Sequence, residues 1–280
     1  MARTSANRIK DQQLAWAQRS GIALDSDDYC VEREKNLFES LCPCSIREIV
    51  DSDGAELGKG GQRGKMQAVY SSSALLCNIF DYWRGRDLSL IAEALGISGR
   101  CCGLAFEQKF PTGLGRIPPN IDVVLCGRDG AIFAVEGKFM EPYRRSKAKN
   151  YLKPKYFADA TRFWANRGLP GCQRVAEDLR DGKVVFEFLD AAQLLKHMLG
   201  LSANCQTWRL CYLWFRPDGA EAHSHAQEIA HFSGLLGADA AHFVSYSYQE
   251  FFSSLAKRLG EEHRTYVEYL RDRYFGETVT

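Results

Sequence analysis

Two short apolar runs joined by Gly127-Arg128-Asp129-Gly130 constrain this chain more than any other feature. The first is Pro119-Asn120-Ile121-Asp122-Val123-Val124, continuing to Cys126, and the second runs from Ala131 to Phe139 through Val135-Glu136-Gly137-Lys138. Apolar, β-branched runs on either side of an Asp-Gly turn predict a β-hairpin. Side chains alternate faces along a strand, so Glu136 and Lys138 share one face, and the hairpin brings Asp122 beside them on the neighbouring strand. Two carboxylates and an ammonium gathered in this way suit a divalent cation and an activated water.

With 280 residues the chain is near the upper end of what one hydrophobic core serves, so one main domain with an extension is expected. Lys and Arg number 36 against 35 Asp and Glu, a net charge of +1 that leaves the local charge distribution to identify partners. No segment reaches the roughly 18 uninterrupted apolar residues of a membrane helix. The first eight residues, Met1 to Arg8, lack the apolar stretch of a secretory signal. The expected location is therefore the cytoplasm. Most of the ten cysteines lie in apolar contexts such as Leu76-Cys77, Leu125-Cys126 and Leu210-Cys211, and without a secretory signal they are expected to stay reduced as small core residues.

Residues 1–69 read as an N-terminal extension, with helical segments at Gln12 to Gln18 and at Tyr29 to Leu41, the latter stopped by Cys42-Pro43-Cys44. A glycine-rich basic stretch, Gly58-Lys59-Gly60-Gly61-Gln62-Arg63-Gly64-Lys65, reads as a mobile loop. It is not a phosphate-binding Walker loop: its glycines are one residue too far apart, and Met66 stands where a Ser or Thr would hold Mg²⁺.

Residues 70–280 read as the principal domain. Ser71 to Ser73 offer an N-cap for a helix over Ala74 to Trp83, and Leu88 to Leu95 a second helix ending near Gly96. Strands are predicted at Leu104 to Phe110, Ile121 to Cys126 and Ala131 to Phe139. Lys147 to Trp164 should be partly helical, with a helix near Arg174 to Arg180 and a strand at Val184 to Leu189. A helix capped by Asp190 should stop at Gly200. Trp208 to Phe215 reads as a strand, Ala222 to Leu236 as a helix, His242 to Tyr246 as a strand, and helices follow from Gln249. This order implies an α/β fold with a mixed central sheet flanked by helices.

At this point the residues resemble a known family. Asp122, Glu136 and Lys138 are similar to the signature of the PD-(D/E)XK, or restriction-endonuclease-like, nuclease superfamily. Glu136-Gly137-Lys138 matches in full, while Pro119-Asn120-Ile121-Asp122 stands where the bare signature has Pro-Asp. Tyr70 to Asn78 and Leu189 to Leu195 look like segments of a bacterial subfamily whose biological role is unassigned. The resemblance implies a restriction-endonuclease-like αβββαβ core, here with the N-terminal extension and added C-terminal helices. It implies hydrolysis of phosphodiesters, in DNA rather than RNA, dependent on Mg²⁺ with Mn²⁺ able to substitute. Carried over, Asp122 and Glu136 would hold the metal, and Lys138 would orient the attacking water or stabilise the transition state. Glu107 is the candidate for a further acidic residue, and cutting both strands would favour a homodimer.

For substrate contacts, the stretch after the hairpin carries Arg144, Arg145, Lys147, Lys149, Lys153 and Lys155 with Tyr143, Tyr151 and Tyr156 interleaved. Such a mixture suits a phosphate backbone and unstacked bases, although charge runs are usually solvated surface. The basic glycine-rich loop is a second candidate contact. Gln193, on the helix after Asp190, would reach the site in relatives of this fold or else face solvent with Lys196.

Other constellations are weaker. Cys42-x-Cys44 with His223-x-His225 departs from usual zinc spacing. His197, among Leu194, Leu195 and Met198, reads as a core or boundary histidine, Phe243 to Phe252 as core, and no G-x-S-x-G elbow is present. The readings from other classes are a nucleic-acid- or partner-binding protein using the same fold without catalysis, and a phosphoesterase acting on a small nucleotide.

Overall fold

The computed structural model describes residues 4–52, 55–60, 62–115, 118–144 and 147–276. Helix α1 (Ser5–Arg19) starts at Thr4, whose hydroxyl accepts from the amide of Asn7. Helix α2 (Pro43–Asp51) corrects an expectation: Pro43 begins a helix instead of stopping one. A proline in the first turn has no hydrogen bond to lose, because its missing N–H would lack an intrahelical acceptor anyway. The segment from Tyr29 to Leu41 holds only the 3-10 turn Arg33–Asn36 in place of the expected helix, tied down by isolated bridges between Leu24 and Cys30 and between Tyr29 and Ala68.

Helix α3 (Ser72–Phe80) is capped as its sequence suggests, Ser71 Oγ accepting from the Ala74 amide. Helix α4 (Ser89–Ala94) closes at Gly96, where φ is +70°. Strands β1 (Cys101–Lys109), β2 (Asn120–Gly127) and β3 (Ile132–Lys138) follow. The β2–β3 turn forms as its residues dictate: the Gly130 amide donates to the Gly127 carbonyl at 3.1 Å, and Asp129 Oδ1 accepts from the Ala131 amide. Gly130 takes a φ of +81°, which a side chain would strain.

After β3 the expected partly helical stretch contains only 3-10 turns, at Lys147–Asn150, Pro154–Ala160 and Ala165–Arg167, before α5 (Pro170–Arg180). The strand expected at Val184 to Leu189 does not form. The Glu228 carboxylate accepts from the amides of Glu187, Phe188 and Leu189, and the Asn150 amide side chain pairs with both backbone groups of Phe186. Side chains thus take the backbone groups that a neighbouring strand would otherwise pair. Asp190 caps α6 (Ala191–Asn204), which runs through Gly200 rather than stopping there. A Cβ on Gly200 would lie 2.5 Å from the Phe110 carbonyl oxygen, so the glycine serves close approach of the chain leaving β1. Strand β4 (Trp208–Trp214), α7 (Ala220–Leu236), β5 (Phe243–Ser247), α8 (Tyr248–Ala256) and α9 (Arg264–Leu270) follow, α9 running on into a π-helical turn, Arg271–Phe275.

The strands form one open mixed sheet in the order β1-β2-β3-β4-β5. β1, β2 and β3 are antiparallel neighbours, whereas β3, β4 and β5 run parallel. The α/β class with a mixed sheet flanked by helices is thus as expected from the sequence. Alternate residues of the central strands feed two cores. Val123, Leu125, Phe133, Val135 and Leu213 join α3, α4, α8 and α9 on one face. Val124, Ala134, Leu210 and Tyr212 join α5, α6 and α7 on the other. Each fully buried apolar side chain, such as Ile79, Phe80 or Phe251, contributes about 1.5–3 kcal/mol. Residues before 70 enter the first core through Ile9, Leu37, Leu41, Ile49 and Met66. Among the described residues no helix is long and apolar enough to cross a membrane.

Candidate active site

The β2–β3 ladder runs from Cys126–Ile132 to Val123–Val135, and Asp122 and Glu136 come immediately after it. The ladder's end frees their backbone to turn carboxylates toward one another's strand. Asp122 Oδ2 accepts from the Gly137 amide at 2.8 Å, so the first half of the hairpin is hydrogen-bonded into the middle of Glu136-Gly137-Lys138. The Lys138 ammonium lies 2.5 Å from Glu136 Oε1, as period-two alternation requires of residues on one strand face. The glycine between them is fixed by packing: a Cβ on Gly137 would meet Tyr248 Oη at 2.5 Å and Leu76 Cδ2 at 2.7 Å.

Glu107 stands opposite Asp122, since β1 pairs with β2 through Phe106–Val123 and Gln108–Ile121. Its φ is +52°, a left-handed conformation that costs a non-glycine residue on the order of 1–3 kcal/mol and is held only where the surroundings impose it. Asn120 helps impose it, donating to Glu107 Oε2 at 3.2 Å and to the Ser52 carbonyl at 3.0 Å. The asparagine that separates Pro119 from Asp122 in the signature therefore orients the third carboxylate.

Asp122 and Glu107 line a cavity of about 70 Å³ with Glu56, Ser72, Ser73 and Cys77. Glu56 escaped the sequence reading. It is brought in by the loop preceding the glycine-rich stretch, accepting from Ser73 Oγ at 2.6 Å with Lys65 at 3.3 Å. The only sequence signal was an acidic residue beside that loop. The contact of His197 with the cluster also escaped that reading. The ring is buried as expected, but its Nε2 lies 3.1 Å from Glu136 Oε2 without the alignment of a hydrogen bond. Glu136 Oε2 and both His197 nitrogens are left buried with no hydrogen-bond partner. Gln193 sits half-buried one turn before His197, on the same face of α6.

The electrostatics follow from burial of several like charges. Glu107 is pushed up to about 7 by burial first, then by the charges of Glu56 and Glu136. Burial and the Glu136 charge also raise Asp122 well above the usual carboxylate range, against the pull of Lys138. Burial pushes Glu136 up as well, but Lys138 and then His197 outweigh it and hold the carboxyl down at about 2. Lys138 stays protonated: burial disfavours its charge, yet Glu136 and Asp122 together raise its pKa. A divalent cation would relieve the repulsion among Glu107, Asp122 and Glu136, and Mg²⁺ needs only one or two carboxylates because it retains several waters. Glu136 Oε2, which accepts no hydrogen bond although His197 Nε2 is 3.1 Å away, is the oxygen open to it. Among the described residues no group of three or more His, Cys, Asp or Glu is placed so that together they could hold a metal ion. A cation held here would therefore take one or two of these carboxylates and keep water in its other positions.

The basic stretch divides. Arg144, Lys153 and Lys155 are exposed, and so is Tyr151. Lys149 is a correction: it is buried, its ammonium donating to the carbonyls of Pro142 and Glu187, so it fastens the loop and faces no substrate. Tyr143 and Tyr156 are buried too and offer no stacking surface. Arg145 and the side chain of Lys147 lie outside the described residues. In the glycine-rich loop, Arg63 is paired with Asp25 and Asp27 and stacked on Tyr29, which closes the loop onto the body of the protein. The zinc alternative fails: Cys42 and Cys44 are disulfide-bonded to each other, against the expectation of reduced thiols, and His225 is buried between Tyr143 and Tyr212. The remaining eight cysteines are free.

No curated protein and no solved structure matches the chain. A family model described as "Restriction Endonuclease associating with ARP" matches residues 8–275, which takes in all five strands and every residue of the carboxylate cluster. With nearly the whole chain covered, the protein belongs to this restriction-endonuclease family.

Proposed function

We propose that the protein is a metal-dependent nuclease of the PD-(D/E)XK type that hydrolyses phosphodiester bonds in DNA, with RNA the less favoured substrate. The observation that carries this is the junction at Gly137, where Asp122 is bonded to the peptide between Glu136 and Lys138 while Glu107 faces Asp122 across the sheet. Asp122, Glu136 and Glu107 would hold the cation. A bound Mg²⁺, or Mn²⁺ in its place, would lower the pKa of a coordinated water and offset charge on the phosphate as it becomes pentavalent.

The chain's own groups do the rest. The Gly137 amide orients Asp122, and Asn120 orients Glu107. Lys138, kept protonated by its carboxylate neighbours, directs positive charge at developing negative charge on the phosphate and its attacking oxygen. Arg144, Lys153 and Lys155 would contact the backbone, with Tyr151 available to an unstacked base. Cutting both strands would call for two copies of the site, hence a homodimer, and the proposed setting is the cytoplasm. The family's description also speaks of association with ARP, and we carry that association to this chain as a proposal.

The test is incubation of the purified protein with supercoiled plasmid, single-stranded DNA and RNA in EDTA, Mg²⁺ or Mn²⁺. Cleavage of DNA should require the metal and disappear in Lys138→Ala with the fold intact. Equal cleavage in EDTA, or by the variant, contradicts the proposal. One observation favours a binding protein without catalysis: Glu136 and Lys138 already neutralise each other at 2.5 Å. Salt-sensitive DNA binding with no cleavage under any metal would select that alternative.

A further inference from the structure

A second cavity lies away from the carboxylates. It opens at the other end of the sheet, around the β2–β3 turn and the starts of β3 and β4, and has a volume of about 500 Å³, within the range of small-ligand pockets. Along β3, Ile132 lies at this cavity and Lys138 at the carboxylate cluster. Six residue steps separate them, about 20 Å at ~3.3 Å per step. The two sites therefore bind separate molecules or distant parts of one.

Three kinds of surface meet in this cavity. Leu125 and Phe133 from one face of the sheet, and Trp208 from the other, supply buried apolar surface where the strands end. The half-buried His242 ring is stacked on Trp208, centroids 4.4 Å apart and planes 15° apart, and presents a flat aromatic face. Its Nδ1 is fixed against the Trp208 carbonyl at 3.2 Å, which holds that face in place. Arg100, Arg128 and Arg209 stand around the opening, all exposed, and none makes an ion pair among the described residues. The single carboxylate of the lining, Asp129, is engaged with the Ala131 amide.

A concave site with a flat aromatic wall, apolar surface and three guanidinium groups that form no ion pair among the described residues complements a ligand that joins a planar ring to a dianion. We propose that this cavity binds a nucleoside monophosphate. Its phosphate is held by Arg100, Arg128 and Arg209, whose planar forks match phosphate oxygens, and its base lies against the His242 ring stacked on Trp208. A duplex is too wide to enter a cavity of this size, and inorganic phosphate alone leaves the aromatic face unused. The proposal does not rest on the nuclease reading, since no residue of the carboxylate cluster lines the cavity.

Calorimetric titration of the full chain with AMP, GMP, inorganic phosphate and a single-stranded dodecamer, all without divalent metal, tests it. At least one mononucleotide should bind, and bind tighter than phosphate. Affinity should fall about tenfold or more in Arg128→Ala and in Arg209→Ala, the loss of a charge-assisted hydrogen bond in each case. Both side chains are exposed, so these variants should fold as the wild type does. Asp122→Asn should bind the nucleotide as the wild type does. The proposal is overturned if neither nucleotide binds at millimolar concentration, if phosphate binds as tightly as the nucleotides, if only the dodecamer binds, or if the arginine variants retain wild-type affinity. Loss of binding in Asp122→Asn would move the ligand to the carboxylate site and overturn it as well.

Discussion

Two buried charge clusters in this protein are built on opposite principles. Arg273, fully buried near the C-terminus, has its guanidinium satisfied on every side. It donates to the carbonyls of Asn36 and Val69, to Asn36 Oδ1, Gln13 Oε1 and Tyr269 Oη, and it lies against the Trp16 ring at 4.0 Å. In the cluster of Glu136, Asp122 and Glu107 only Glu136 is fully buried, the other two being half-buried; it crowds like charges, leaves Glu136 Oε2 without a hydrogen-bond partner and holds Glu107 at a positive φ. A buried charge kept for stability is fully hydrogen-bonded, because an unpaired one costs several kcal/mol. A buried cluster left short of partners stores that cost against a ligand that later supplies them.

The sharpest way to break this comparison is Asp122→Asn. The amide keeps an acceptor for the Gly137 N–H but removes a charge the cation needs, so DNA cleavage should fall by about 10²–10³-fold or more while thermal stability stays level or rises. Cleavage at the wild-type rate would end the functional half of the comparison. Arg273→Ala should do the reverse, lowering unfolding free energy by about 3–5 kcal/mol in a urea titration and leaving cleavage per folded molecule unchanged. A loss under about 1 kcal/mol would mean the satisfied cluster holds little together.

The pH dependence of stability probes the same contrast more gently. Glu107 ionises near its ordinary 4.5 when unfolded and at about 7 when folded, so between those values the folded state holds a proton the unfolded state has lost. Stability in metal-free buffer should therefore fall as pH rises from about 4.5 to 7, by an amount on the order of 2–3 kcal/mol from this group. Glu107→Gln should flatten that slope, and a slope unchanged in the variant assigns it elsewhere. Glu136 acts oppositely: held down at about 2, it stabilises the fold at neutral pH and loses that contribution as pH falls from 4.5 toward 2. The smallest expected effect is at the rim, where Lys153→Ala with Lys155→Ala should weaken DNA binding severalfold and flatten its salt dependence by about one unit of slope per lysine. Lys149→Met should leave that slope unchanged, because its ammonium is spent on carbonyls.

What could be foreseen from the chain is what depends on local periodicity. Alternation placed Glu136 and Lys138 on one face, Asp-Gly placed the turn, and Ser71 and Asp190 placed two helix starts. What escaped depends on contacts distant in sequence. Val184 to Leu189 has strand composition, yet Glu228, some 40 residues on, takes its amides. Lys149 looks like one more lysine in a basic run until the carbonyl of Glu187 reaches it. Glu56 joins the carboxylate cavity only because Ser73 and the folded loop bring it there, and His197 meets Glu136 from a helix some 60 residues further along. The strained φ of Glu107 has no sequence signature, since it follows from Asn120 and the register opposite Asp122.

The central claim is that the crowded carboxylates form a cation site, and the direct measurement is calorimetric titration of Mn²⁺ into the metal-free protein at pH 7.5, beside Asp122→Asn. Saturable binding by the wild type, accompanied by a rise in thermal midpoint and lost in the variant, is the expected result. Identical heats from both proteins, or no binding by the wild type at millimolar Mn²⁺, would contradict the account.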